Sequence, residues 1–108
     1  MNRKDKYLNL GGSIVSKNII DGKGKLTWCY RHEPEDEVDN GWCFFSDIDT
    51  DEFLESVESV QILSWAQVVE IEPAVADIFD FPFGCELELV EEDGEKHFYD
   101  ANTGVQII

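Results

Sequence analysis

The chain has 108 residues, 43% of them hydrophobic and 12% aromatic, with 8 Lys+Arg against 24 Asp+Glu and a net charge of −16. This is one domain's worth of sequence, and its apolar content excludes wholesale disorder despite the charge. A surface this acidic repels nucleic acid and anionic membranes, which are held through Lys and Arg, and it attracts a basic protein.

Residues 1–10 read as a loose lead-in. MNRKDKYLNLGG starts basic but has no apolar run before Gly11, so no secretory leader is expected. Ser13–Ser16 reads as a short strand, and Asp21–Gly22–Lys23–Gly24 supplies turn chemistry. LTWCYR, 26–31, is β-branched and aromatic, and alternation places Leu26, Trp28 and Tyr30 on one face. HEPEDEVDNG, 32–41, is an acidic loop closed by an Asn40–Gly41 turn. WCFFS, 42–46, returns as the antiparallel partner strand, with Trp42 and Phe44 sharing a face.

DIDTDEFLE follows, and Asp51, Glu52 and Glu55 suit the first turns of a short helix. VQIL, 60–63, is a further strand. Ser64 then opens a helix through a Ser-x-x-Gln capping box with Gln67, with Leu63 and Val68 at the staple positions. Pro73 breaks that helix and opens a second short one, and DFPFG ends it. CELELVE, 85–91, alternates with Cys85, Leu87 and Leu89 inward, Asp93–Gly94 turns, and KHFYD returns. The expected fold is α+β: a mainly antiparallel sheet of about five or six strands, with a broken helical segment, about 64–80, packed on one face. The chain divides into the lead-in, a core of 11–91, and a C-terminal hairpin and tail of 92–108.

The charge is uneven. Residues 1–31 hold seven basic against two acidic residues (+5), while 32–108 hold Lys96 alone against 22 acidic residues (−21). Two carboxylate clusters flank the Trp42–Ser46 strand. Glu33, Glu35, Asp36, Glu37 and Asp39 precede it; Asp47, Asp49, Asp51 and Glu52 follow. A five-residue strand would hold them about 16 Å apart.

Asp47, Asp49, Asp51 and Glu58 occupy four ligand positions of a calcium loop. Glu52 stands where that loop needs glycine to bend, and a strand stands where it needs an incoming helix. Cys29, His32, Cys43 and Cys85 could be drawn as a zinc set, but no paired Cys-x-x-Cys is present. Three cysteines in apolar surroundings suit buried free thiols in a reducing, cytoplasmic compartment. His32 and His97 are the only histidines, and nothing in their spacing demands catalysis. No cofactor is expected.

GGSIVSK, CYRHEP, GW-C-FFS with its acidic run, and the helical segment ending in DFPFG resemble one bacterial family. It is the family numbered thirty-three among the immunity proteins of polymorphic toxin systems, formerly a domain of unknown function. Members tend to carry Arg where this chain has Cys43, and often Gly where it has Asp47. The resemblance implies a non-enzymatic α+β protein that binds and blocks a toxin encoded nearby, typically a nuclease. Nuclease sites are basic, so the two carboxylate clusters are the expected contact surface. A regulatory or housekeeping binding module, or a calcium protein using Asp47–Glu58, would be the other readings.

Overall fold

The computed structural model describes residues 10–108, so nearly all of the lead-in lies outside the described residues. Six strands form one sheet: β1 Gly12–Ser16, β2 Leu26–Arg31, β3 Asp39–Ser46, β4 Val60–Ser64, β5 Glu86–Glu92 and β6 Glu95–Asp100. Their order is β4-β1-β3-β2-β5-β6. All pairings are antiparallel except β1 with β3, which run parallel. The sheet is therefore mixed but mostly antiparallel. β1 carries Ile14 on one face and Val15 on the other, which suits a strand with neighbours on both sides.

Short helices fill the connections: α1 Lys17–Ile20, α2 Asp51–Leu54 and α3 Trp65–Ile71, with 3-10 turns at Val57–Ser59 and Pro73–Asp77. The α3 cap forms as its residues dictate. Ser64 Oγ accepts from Gln67 N and Gln67 Oε1 accepts from Ser64 N, so two otherwise orphaned N–H groups are satisfied. Pro73 ends the α-helix, and Glu72 caps the 3-10 turn through Ala74 N. Glu72 is also the ion-pair partner of Lys96. The one cation of residues 32–108 is thus engaged internally.

α3 and the Pro73–Asp77 turn cover one face of the sheet. Trp42, Phe44 and Trp65 are fully buried there, with ring centroids 5.8–6.4 Å apart. Burial of such a side chain contributes about 2–3 kcal/mol. Val15, Cys29, Val68, Val75, Ile78, Leu87 and Phe98 are among the residues packed with them in this core.

Two expectations are corrected. Leu26 does not share a face with Trp28 and Tyr30. The β2–β3 register shifts between Leu26 and Trp28, and this irregularity turns Leu26 into the core beside Cys29, leaving the two aromatics opposite. Nor is Asn40–Gly41 the end of a loop. β3 starts at Asp39, and the β1–β3 register jumps from Gly12↔Asp39 to Ile14↔Cys43, so Asn40–Gly41 is a bulge inside the strand. Gly41 sits at φ +86, and Asn40 is buried, accepting from Ser13 Oγ and Trp42 N and donating to Leu10 O. Asn-Gly favours positive φ equally in a turn and in a bulge, so local sequence does not separate the two.

The C-terminal residues turn at Asn102–Thr103 and run back along β6: Ile107 N donates to Phe98 O and Asp100 N to Val105 O. This pairing covers the β6 edge. Among the described residues no helix is long and apolar enough to cross a membrane.

Candidate functional site

The two carboxylate clusters lie at opposite ends of β3, whose eight residues span about 24 Å. Within the first, Asp36 Oδ1 accepts from Val38 N and Asp39 N, and Asp39 accepts from Gly41 N and Glu35 N. These bonds shape the loop. They leave Glu33, Glu35, Asp36 and Glu37 exposed and Asp39 half-buried.

In the second cluster Asp47 Oδ1 accepts from Lys25 N at 2.9 Å. Asp49 turns inward. Its Oδ1 accepts from Ser16 Oγ, Asn18 Nδ2 and Ser46 Oγ, and its Oδ2 from Ser46 N, all within 2.6–2.8 Å. Asp49 therefore ties the end of β3 to the β1–α1 junction. Asp51 and Glu52 occupy the first turn of α2 behind the Thr50 cap and are exposed.

Burial acts against ionisation of Asp49, but the hydrogen bonds from Ser46, Asn18 and Ser16 together hold its carboxyl below the usual range. A depressed folded-state pKa stabilises at pH values above the unfolded one, about 3.9, and that contribution is lost as pH falls through the folded value. Asp49→Asn should cost about 2 kcal/mol at pH 7. Urea unfolding should show the gap to wild type closing below about pH 4. A gap that persists unchanged to pH 2.5 would mean the charge of Asp49 is not what matters.

Among the described residues no group of three or more His, Cys, Asp or Glu side chains is arranged to hold a metal ion. α2 and the Val57–Ser59 turn occupy the stretch from Asp51 to Glu58 that a calcium loop would need, and both oxygens of Asp49 already accept from N–H and O–H donors. Cys29 and Cys43 are adjacent in the β2–β3 register to Phe44 and Tyr30 respectively, and so face opposite sides of the sheet. All three cysteines are free, and burial pushes each thiol up, which makes them poor nucleophiles.

Opposite the core, the sheet carries a second feature that alternation alone did not reveal. The pairing register lines up two rows on this face. One runs Ile62, Ile14, Cys43, Tyr30, Glu86; the other runs Phe45, Trp28, Glu88, Tyr99. Trp28, Tyr30 and Phe45 contact one another with centroids 5.1–5.8 Å apart. Burial, then the neighbouring Cys43 thiol and Glu86 carboxylate, push the Tyr30 phenol up to about 12. A groove of about 370 Å³ opens between Ile14, Tyr30, Cys43 and Phe45 on the sheet and the segment from Leu54 to Val60.

The first row passes from aliphatic through aromatic to carboxylate as the sheet is crossed, and the second from aromatic to carboxylate and phenol. The signal in the sequence was the pair of aromatics Trp28 and Tyr30 at alternate positions opposite a buried Cys29. The β2 irregularity hid it by making Leu26 look like their companion.

A family model described as the immunity protein Imm33 domain matches residues 13–100. That span takes in every strand from β1 to β6 apart from the first residue of β1. No curated protein matches the chain, and no solved structure does.

Proposed function

Because the chain belongs to the Imm33 immunity protein family, we propose that it neutralises a cognate bacterial toxin by binding it, and catalyses nothing itself. The toxin is basic and of nuclease type, encoded beside this gene in a polymorphic toxin system, and the encounter takes place in the cytoplasm. Family membership carries the toxin-neutralising role. The excess of −21 over residues 32–108 supports the basic partner, since opposite net charges steer encounter and accelerate association.

The contact surface of this reading is formed by the carboxylates of the two β3 ends. Glu33, Glu35, Asp36, Glu37, Asp47, Asp51 and Glu52 face solvent and can meet phosphate-binding groups of a nuclease. Asp39 and Asp49 hold the loops that present them. Seven exposed carboxylates with no ion pair among the described residues are more than helix caps and turns require.

The test is co-expression with the product of the adjacent open reading frame. That product alone should stop growth, and this protein should restore it. If the neighbour is harmless, or kills regardless, the protein is a binding module of some other kind. Reversing Asp47, Asp51 and Glu52 to Lys together should slow association by roughly 10-fold at low salt. An on-rate that does not change would remove that cluster from the surface.

A further inference from the structure

Among the described residues, the face of the sheet opposite α3 is only partly covered. α2 and the Val57–Ser59 turn close over Ile14, Cys43 and Phe45 at one end, leaving the groove. The solvated side of an antiparallel sheet ordinarily carries polar side chains. The β5–β6 half follows that rule, with Glu86, Glu88, His97 and Tyr99. The other half does not: Trp28 is 36% exposed, Ile62 72% and Val57, at the groove lip, 91%.

Resting on the toxin-binding reading, we propose that this face is the docking surface for a basic partner protein. The partner seats an apolar side chain in the groove and lays an arginine or lysine across Trp28 towards Glu88. Trp28 and Glu88 are direct cross-strand partners, so an aromatic face and a carboxylate lie side by side. That pair suits a guanidinium or ammonium group, through cation–π attraction to the ring and an ion pair to the oxygen. Tyr30 and Glu86 repeat the pairing one step along the same strands.

Rigid aromatics around a pocket, rimmed by charge, are the composition that concentrates binding energy at interfaces. The two ionised residues in the rows are both carboxylates, so the complement is cationic. A second copy of this chain would bring another −16 and the same two glutamates against this face, which disfavours self-association. Leu54, the last residue of α2, lines the groove, with Asp51 and Glu52 in the first turn of the same short helix. The cluster at Glu33–Asp39 sits at the far end of β3.

Purified protein and the purified product of the neighbouring toxin gene would be titrated by calorimetry, with growth rescue read in parallel. Trp28→Ala should weaken Kd by about 30-fold. Val57→Arg and Glu88→Lys, at exposed positions that leave the core untouched, should each weaken it by roughly 10-fold. Glu70→Lys makes the same charge change on α3, on the opposite side of the sheet, and should stay within about 2-fold of wild type. Circular dichroism of each variant excludes misfolding.

Wild type that binds and protects, with all three face variants matching Glu70→Lys, overturns this proposal and leaves the immunity reading intact. Wild type that neither binds nor protects overturns both. Dimerisation of wild type that Trp28→Ala abolishes would make a second copy the occupant, which also overturns it.

Discussion

Gly41→Ala should destabilise the protein by about 4 kcal/mol, a large part of the 5–15 kcal/mol that holds a typical domain together. Two costs combine. Gly41 has φ +86, a region that an L side chain enters at about 1–2 kcal/mol. A Cβ at that position would also lie 2.1 Å from His32 O, a backbone atom, with Arg31 Cγ and His32 C at 3.3 Å. Backbone cannot swing aside as a long side chain can. His32 O is held in place because His32 N donates to Gly41 O at 2.9 Å, so relieving the clash breaks the β2–β3 junction.

Gly84→Ala is the control. Gly84 has φ +94 but an added Cβ there meets nothing within 4 Å. It should cost only the conformational part, about 1–2 kcal/mol. Urea unfolding of both variants separates strain from steric clash. Equal losses at the two sites would mean that the close approach of Gly41 to His32 is not maintained in solution.

Arg31→Ala should cost about 3 kcal/mol and lower Tm by roughly 12 °C. Arg31 lies at the end of β2 and holds the chain that follows the Pro73–Asp77 turn. Its Nη1 donates to Phe79 O at 2.7 Å and Phe81 O at 2.9 Å, and its Nε donates to Asn40 O at 3.0 Å. Its guanidinium carbon lies 4.6 Å from the Phe83 ring centroid, 5.2 Å from that of Phe79 and 5.7 Å from that of Trp42. The main-chain bonds Arg31 N to Cys85 O and Gly84 N to Arg31 O fasten the same two segments.

Truncation removes three donors at once and leaves the Asn40 and Phe81 carbonyls without this partner. Phe79 O keeps Trp42 Nε1 at 3.1 Å, which limits the loss. Arg31→Lys should recover less than half, because a single ammonium cannot reach three carbonyls spread over a planar fork. A loss within about 0.5 kcal/mol, the scale of an ordinary surface change, would show that Arg31 is not the fastening it forms in the structure.

Both predictions fall on residues of the motifs that marked the family resemblance. Arg31, Gly41, Trp42 and Phe44 are scaffold: a fastening, a bulge and two core rings. Tyr30 and Phe45, in the same motifs, are on the open face. Motif membership alone did not sort these roles, because a run of five or six strand residues places neighbours on opposite sides of a sheet. Deciding which side is covered requires knowing what packs there.

Several elements were legible because their causes are local. The Ser64–Gln67 cap, the Pro73 break, the Asp93–Gly94 turn and the Cys85–Leu89 alternation depend on residues within a few positions of one another. So does the acidity of residues 32–108, which needs only counting. The separation of the two carboxylate clusters also followed from strand rise, although β3 proved longer than WCFFS because the Asn40–Gly41 bulge lies within it.

The amino-acid sequence by itself thus determined most of the strands, the capped and broken helical segment, the mainly antiparallel α+β class and the sign of the chain's own charge, while the short α1 helix Lys17–Ile20 went unread. Tertiary structure decided three things. It set β1 parallel to β3, a pairing between segments some thirty residues apart that no local pattern encodes. It turned Asp49 inward, since two of its four donors, Ser16 Oγ and Asn18 Nδ2, come from a segment some thirty residues away and the other two from Ser46. And, among the described residues, it left Trp28 exposed and Tyr30 half-buried beside Glu88 and Glu86, with Phe45 under the edge of the covering segment, because α3 packs on one face while the shorter α2 segment reaches only part of the other. Short-range forces act through sequence neighbours and can be read along the chain. Burial and register are properties of the assembled sheet, and they chose which aromatic rings became core and which became surface.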